Sequence, residues 1–196
     1  TVVIQCLAVQ MSRYRLSRMN ARPPHHGLAL MSGMLAAAAI ILRLYQNDSA
    51  VGVLFMTIMT GCMTLMTLTD AASCRLPRPF TIMYLISGSA FRLWQGDWLT
   101  GLCSAGFWFL LLLLFRQYTS YRRKTETIGL GDVFLIAGIA IWSPPGDIPW
   151  IVATAAGGAL LYLWCNRQRR ITRELPFGPF LCASQYAFTF YPGGLW

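Results

Sequence analysis

The chain has 196 residues, of which 56% are hydrophobic and 12% are charged, and its formal net charge is +9. A soluble globular protein of this size needs more polar surface than this composition supplies, so the sequence is that of a membrane protein. The basic residues occur in short clusters between apolar runs and form no continuous basic stretch, which argues against a nucleic-acid-binding protein.

Seven apolar runs approach the length of about 20 residues that a membrane-spanning helix needs. The fifth and seventh runs are short, and Arg92 lies near the end of the third, so six or eight spans also fit the sequence. We predict an all-α, polytopic helical bundle of about seven transmembrane helices, with a basic segment at 1–26 and one transmembrane domain at 27–196. In chain order the runs are Gly27 to Tyr45, Ala50 to Thr69, Pro79 to Gln95, Trp98 to Phe115, Ile128 to Trp142, Ile148 to Cys165 and Phe177 to Tyr191.

Arginine and lysine alternate between the loops in a way that predicts the orientation. Every second loop is basic, and the positive-inside rule places short basic loops in the cytoplasm, so the N-terminus is predicted to be cytoplasmic. Arg43 and Arg92 lie near the opposite helix ends, where we expect their side chains to extend outward. The basic loops contain Arg13, Arg15, Arg18 and Arg22; Arg75 and Arg78; Arg116, Arg122, Arg123 and Lys124; and Arg167, Arg169, Arg170 and Arg173.

Two aspartates stand at the ends of apolar runs. Asp70 follows the second run and Asp132 lies near the start of the fifth. With the orientation above, both carboxylates are at the cytoplasmic ends of their helices, at similar depth. Acidic side chains in such segments are costly and usually functional. Two carboxylates held close together in a partly dry site tend to share one proton, as in aspartic proteases.

A simpler interpretation exists for each part of this pattern. Either aspartate alone is more often a helix cap, and a Gly-x-Gly-Asp segment alone is a weak signal. Gly129 and Gly131 lack a Cβ and permit a backbone, for example that of an extended substrate, to approach Asp132. Helix packing through small residues explains these two glycines equally well.

Three segments, in order along the chain, resemble the motifs of type IV prepilin peptidases, a family of GxGD intramembrane aspartic proteases. The first runs from Asp70 to Pro77 and the second from Gly129 to Asp132. The third is similar to the family's C-terminal signature and contains Pro176, Phe177, Gly178 and Pro179.

This resemblance implies an aspartic endopeptidase of the bacterial inner membrane that needs no cofactor. Such enzymes remove the short basic leader from type IV prepilins or from pseudopilins of type II secretion, on the cytoplasmic side of the substrate's hydrophobic helix. Asp70 and Asp132 would be the catalytic pair, and the glycines and the third motif would support the site. The expected partners are a prepilin or pseudopilin and membrane lipid, and no nucleic acid.

The sequence departs from the family pattern at several positions. Phe134 replaces a lysine that usually follows the second aspartate, which keeps an inactive family member open as an alternative. Longer relatives carry Cys-x-x-Cys pairs that bind zinc, and they also methylate the product. This chain has six cysteines but no Cys-x-x-Cys, so we predict a peptidase without N-methyltransferase activity and without a metal site. His25 and His26 lack a third ligand, and the role of residues 1–10 is open.

Two other classes of membrane protein share part of the pattern. A proton-coupled transporter also holds intramembrane acids, but it usually places them near the midplane on broken helices. A presenilin-like protease shares Gly-x-Gly-Asp but carries Tyr-Asp and Pro-Ala-Leu segments, where this chain has Thr69-Asp70 and the third motif.

Overall fold

The computed structural model describes residues 49–73, 76, 78–123, 129–165 and 176–190, together with positions 10, 33, 34, 37, 38 and 41. Most of the first predicted span, and the predicted boundary between 26 and 27, lie outside these residues. Within the described ranges the chain forms six α-helices and no β-strand. They are α1 (Ala50–Ser73), α2 (Arg78–Gln95), α3 (Trp98–Arg123), α4 (Leu130–Trp142), α5 (Ile148–Cys165) and α6 (Gly178–Phe190).

These helices correspond to the second to seventh predicted runs, and most boundaries agree within a few residues. The largest difference is in α3, which continues past Phe115 to Arg123 because its polar and basic end still forms helix. Three helices, α1, α3 and α5, are long and apolar enough to cross a membrane, and α4 is a shorter apolar helix. The all-helical architecture of a membrane protein is therefore confirmed in outline, while the number of seven spans and the orientation stay predictions.

The centre of the bundle is formed by α1 and α4. Every residue of α1 from Met59 to Asp70 is buried, so protein encloses this part of the helix on all sides. In α4 the buried stretch runs from Leu135 to Trp142. Both α2 and α6 pack against α1 and against α4, and so hold the two central helices in place.

The outer helices α3 and α5 expose large apolar side chains. Leu110 and Leu114 of α3 and Leu160 and Trp164 of α5 are all more than half exposed. Exposed apolar side chains of this size suit contact with lipid rather than with water.

Two glycines allow α2 and α4 to approach closely. A Cβ at Gly88 would lie 2.7 Å from Trp142 Nε1, and a Cβ at Gly138 would lie 2.6 Å from Tyr84 Cδ1. The indole of Trp142 donates a hydrogen bond to the Tyr84 carbonyl at 3.1 Å. Each aromatic ring therefore fills the space that a glycine leaves on the neighbouring helix, which fixes the register of α4.

Arg92 does not extend outward, and that prediction was wrong. The residue is only 8% exposed, and its guanidinium donates to the carbonyl oxygens of Ile141 at 2.8 Å and Ser143 at 3.0 Å. The last carbonyls of a helix lack intrahelical partners and carry partial negative charge. The end of α4 therefore draws the cation into the bundle, where Asp97 lies 3.5 Å from it on the solvent side.

Candidate active site

The structure brings Asp70 and Asp132 together at one end of the bundle. Asp70 lies in the last turn of α1 and is 4% exposed. Asp132 lies in the first turn of α4 and is half-buried. The two carboxylates lie within electrostatic range of each other, and Leu76, which follows Asp70, packs against Gly131, which precedes Asp132. The site is therefore built from the C-terminal end of α1 and the N-terminal end of α4.

Gly178 contacts Asp70 directly. As the first residue of α6, it donates its backbone N–H to Asp70 Oδ2 at 2.9 Å. A Cβ at this position would lie 2.7 Å from the same oxygen, so only glycine permits this approach. The sequence predicted that Gly178 belongs to a motif that supports the site, and the structure shows its hydrogen bond to Asp70.

The rest of the third motif shapes the start of α6. Pro176 and Phe177 precede the helix, and the Phe177 carbonyl accepts the N–H groups of Phe180 at 3.1 Å and Leu181 at 3.2 Å. Pro179 has no N–H, which costs nothing in the first turn of a helix. In the first turn of α6, the Gly178 amide is therefore the N–H that has no backbone acceptor, and it donates to Asp70 instead.

The two glycines of the second motif have different surroundings. Gly129 caps α4 in an extended conformation and is exposed, and its missing Cβ would lie 3.3 Å from Asp132 Oδ2. Gly131 faces Leu76, whose Cβ would lie 2.8 Å from a Cβ at Gly131. For Gly131 the structure favours the packing alternative, because the space beside it is filled by protein. Gly129 stays open to an approaching backbone.

Cys182 is a residue of the site that the sequence did not reveal. Cys182 is 1% exposed and lies within electrostatic range of both Asp70 and Asp132. The sequence alone suggested an ordinary small apolar residue. One signal could have found it, because residues four apart share a helix face and Cys182 follows Gly178 by four positions.

Other candidate residues from the sequence lie elsewhere. Phe134 packs on α3, with its ring centroid 5.3 Å from that of Phe109. His25 and His26 lie outside the described residues. In the part of the chain that the structure describes, no three His, Cys, Asp or Glu side chains are grouped closely enough to hold a metal ion.

The chain resembles known proteins over most of its length. Two prepilin leader peptidase/N-methyltransferases, from Burkholderia pseudomallei strains 1026b and K96243, are each 33% identical over 175 residues. The aligned region covers 84% of this chain and 53% of each relative, so the chain spans about half the length of the curated relatives it matches. No solved structure matches the chain. The model of the type IV leader peptidase family matches residues 57–164, a segment that includes both Asp70 and Asp132. The chain therefore belongs to the type IV leader peptidase family.

Proposed function

We propose that this protein is a membrane aspartic endopeptidase that removes the basic leader of type IV prepilins or type II secretion pseudopilins. The observation that carries the proposal is that Asp70, at the end of α1, and Asp132, at the start of α4, lie within electrostatic range of each other in a member of the leader peptidase family. Two opposed carboxylates in a largely buried site suit peptide hydrolysis by an activated water.

The proposed reaction needs the two carboxylates and one water molecule. One ionised carboxylate takes a proton from the water as the water oxygen attacks the scissile carbonyl carbon. The second carboxyl is protonated; it polarises the carbonyl and then gives its proton to the leaving amine as the C–N bond breaks. The relatives' name also includes N-methyltransferase, but our proposal concerns the peptidase reaction alone.

The site's position suits a substrate that enters from the cytoplasm. In a strict up-and-down order of six helices, the end of α1, the start of α4 and the start of α6 lie on the same side of the bundle. Asp70, Asp132 and Gly178, which occupy these three ends, are therefore on one side. Arg122, near the end of α3, falls on the same side by that order. The basic side is therefore the site's side, which supports cytoplasmic cleavage by a multi-pass protein of the bacterial inner membrane.

The carboxylates' position argues against the transport alternative. A proton-coupled transporter usually holds its acids near the midplane on interrupted helices, whereas Asp70 and Asp132 occupy the last and first turns of continuous helices. Only an activity assay distinguishes the proposed enzyme from a catalytically inactive family member.

Co-expression with prepilins and pseudopilins from the same genome tests the function. Leader removal is followed by a mobility shift and by mass spectrometry of the new N-terminus. We expect the parent to process at least one substrate, and Asp70→Ala, Asp132→Ala, Asp70→Asn and Asp132→Asn to process none. Asp97→Asn is the matched control, because Asp97 is 53% exposed and lies at the other end of the bundle.

Two results would contradict the proposal. Normal processing by either Asp70 or Asp132 variants would remove that residue from the catalytic pair. Failure of the folded parent to process any candidate would favour the inactive alternative.

A further inference from the structure

We propose that the two carboxylates have fixed and different roles: the Gly178 amide holds Asp70 as the ionised base, and Asp132 carries the proton and acts as the acid. Gly178 is then a positioning residue for the reaction. This inference rests on the proposed peptidase function, and it concerns which aspartate performs which step.

The first argument comes from the hydrogen-bond donors at the start of α6. The first N–H groups of a helix lack intrahelical partners and carry partial positive charge. Phe180 and Leu181 donate to the Phe177 carbonyl, and Pro179 has no N–H. The Gly178 N–H is the remaining donor, and it is directed at Asp70 Oδ2 at 2.9 Å. Hydrogen bonds to an ionised acceptor are stronger than those to a neutral one, so this contact favours the carboxylate form of Asp70.

The second argument is the contrast with Asp132. No residue in the described ranges donates a hydrogen bond to the Asp132 carboxyl group. Each aspartate lies near the partial positive charge of a helix N-terminus, Asp132 at that of α4 and Asp70 at that of α6, so this charge does not distinguish them. Among the described residues, the titratable side chains within electrostatic range of Asp70 are Asp132 from α4 and Cys182 from α6. With one proton shared between two repelling carboxyl groups, the proton goes to Asp132, because only Asp70 has a donor among these residues.

Exposure bears on the two roles in opposite ways. Burial by itself disfavours the ionised form of Asp70, and the hydrogen bond from Gly178 opposes that effect. Asp70 is almost fully buried against Gly178, whereas Asp132 is half-buried beside exposed Gly129. An acid that must reach the substrate's carbonyl oxygen and leaving nitrogen needs the more open position.

The assigned steps balance. Asp70 takes a proton from water, and the water oxygen bonds to the carbonyl carbon while Asp132 donates a hydrogen bond to the developing oxyanion. The C–N bond then breaks, and the Asp132 proton goes to the amine nitrogen. Asp70 now holds the proton and Asp132 is ionised, so transfer of that proton from Asp70 to Asp132 restores the starting state.

Two Gly178 variants test the amide donor. Gly178→Ala and Gly178→Pro both add a Cβ 2.7 Å from the Asp70 oxygen that accepts the Gly178 N–H, so both displace that oxygen from the amide. Proline also removes the N–H and is well tolerated in the first turn of a helix. Activity is measured on purified full chain in detergent, as kcat/KM against pH for a cleaved prepilin peptide. We expect the acid-side fall in activity to occur about one pH unit higher in both variants than in the parent, because the base has lost its donor. An acid-side fall at the parent's pH in folded variants would overturn the role of the amide.

Binding of an inhibitor provides a measurement that does not need activity. The probe is the same peptide with a statine residue at the scissile position, whose hydroxyl occupies the place of the attacking water. Asparagine imitates the size and neutrality of a protonated aspartate, so Asp132→Asn should retain affinity within about threefold and Asp70→Asn should lose about tenfold or more. The reverse order, or an equal loss in both variants, would overturn the assignment.

The two proposals fail in different ways. Processing that survives Asp70→Ala or Asp132→Ala removes the peptidase mechanism itself. Loss of processing in both, combined with the reverse order of inhibitor affinity, leaves the peptidase intact and removes only the assignment of roles.

Discussion

Leu76 lies against Gly131 so closely that a Cβ added to the glycine would stand 2.8 Å from the Cβ of the leucine. Leu76 belongs to the segment that follows Asp70, and Gly131 immediately precedes Asp132. The contact therefore joins the two aspartate motifs, and it sets the position of the start of α4 beside the end of α1.

Gly131→Ala should reduce processing by about tenfold or more, because the added methyl group has no free space and overpacking typically costs about 1–3 kcal/mol. The nearest atom is a Cβ, which cannot move without its backbone. The start of α4 must then shift, and Asp132 shifts with it. Initial rates of leader cleavage on purified variants measure the effect.

A second substitution tests whether this contact is the cause. Leu76→Gly removes the atoms that the new methyl group meets, so the double variant should recover activity relative to Gly131→Ala. Gly106→Ala is the matched control, since a Cβ at Gly106 has no heavy atom within 4 Å. A double variant as inactive as Gly131→Ala would show that the contact with Leu76 is not what limits activity.

The sequence predicted the elements of this fold better than their contacts. Apolar runs and Pro/Gly breakers placed most boundaries of α1 to α6 within a few residues, the end of α3 excepted, because a helix that crosses a membrane needs a length that a run of apolar residues reveals. Family motifs and arginine placement directed attention to Asp70 and Asp132. None of these signals shows how each helix is rotated about its axis, and so which of its side chains face which neighbour.

The contacts depend on that rotation, which is why Arg92 was misplaced and Cys182 was missed. From Met59 to Asp70, α1 is buried on every side, although threonines recur along one face at Thr60, Thr64 and Thr67. Its polarity pattern therefore does not separate faces that contact protein from faces that contact lipid. Arg92 was predicted to extend outward because the free carbonyl oxygens at the end of α4, on a distant part of the chain, cannot be seen from the sequence around Arg92.

Arg92→Met should lower the free energy of unfolding by about 2 kcal/mol or more, because buried carbonyl oxygens that lose their donor cost about 1–3 kcal/mol each. Arg92 donates to the carbonyls of Ile141 and Ser143, at the opposite end of α4 from Asp132. Cleavage per folded molecule should therefore be nearly unchanged. Thermal unfolding in detergent and specific activity, measured on the same preparation, test the two parts.

Asp97→Asn provides the comparison for Arg92. The Asp97 side chain is 53% exposed and 3.5 Å from the guanidinium, and exposed ion pairs are worth about 0–1 kcal/mol. We expect a much smaller loss of stability than in Arg92→Met. Equal losses in the two variants would mean that the ion pair, and not the capping of α4, is the important contact.

Tyr84 and Gln185 form a buried polar pair whose contributions should not be additive. The Tyr84 hydroxyl donates to Gln185 Oε1 at 2.7 Å, and both residues are fully buried. Gln185 Nε2 has no partner among the described residues. Tyr84→Phe and Gln185→Leu should each cost about 1–3 kcal/mol, because each leaves the other polar group unpaired.

The double variant Tyr84→Phe/Gln185→Leu should be more stable than the sum of the single losses indicates, since it leaves neither group unpaired. Unfolding of the four proteins in a double-mutant cycle measures the coupling. Purely additive losses would show that the two side chains do not depend on each other.

Phe134→Leu should retain most of the cleavage activity, although the family usually has a lysine at this position. The Phe134 ring packs against Phe109 of α3, with 5.3 Å between the ring centroids, so we expect it to act on helix packing rather than on the carboxylates. The loss of an aromatic pair costs about 0.5–1.5 kcal/mol, and Phe109→Leu should lower stability by a similar amount. Specific activity and thermal unfolding of the two leucine variants are compared with those of the parent. If Phe134→Leu abolishes cleavage in a stable protein while Phe109→Leu does not, Phe134 has a role at the active site itself.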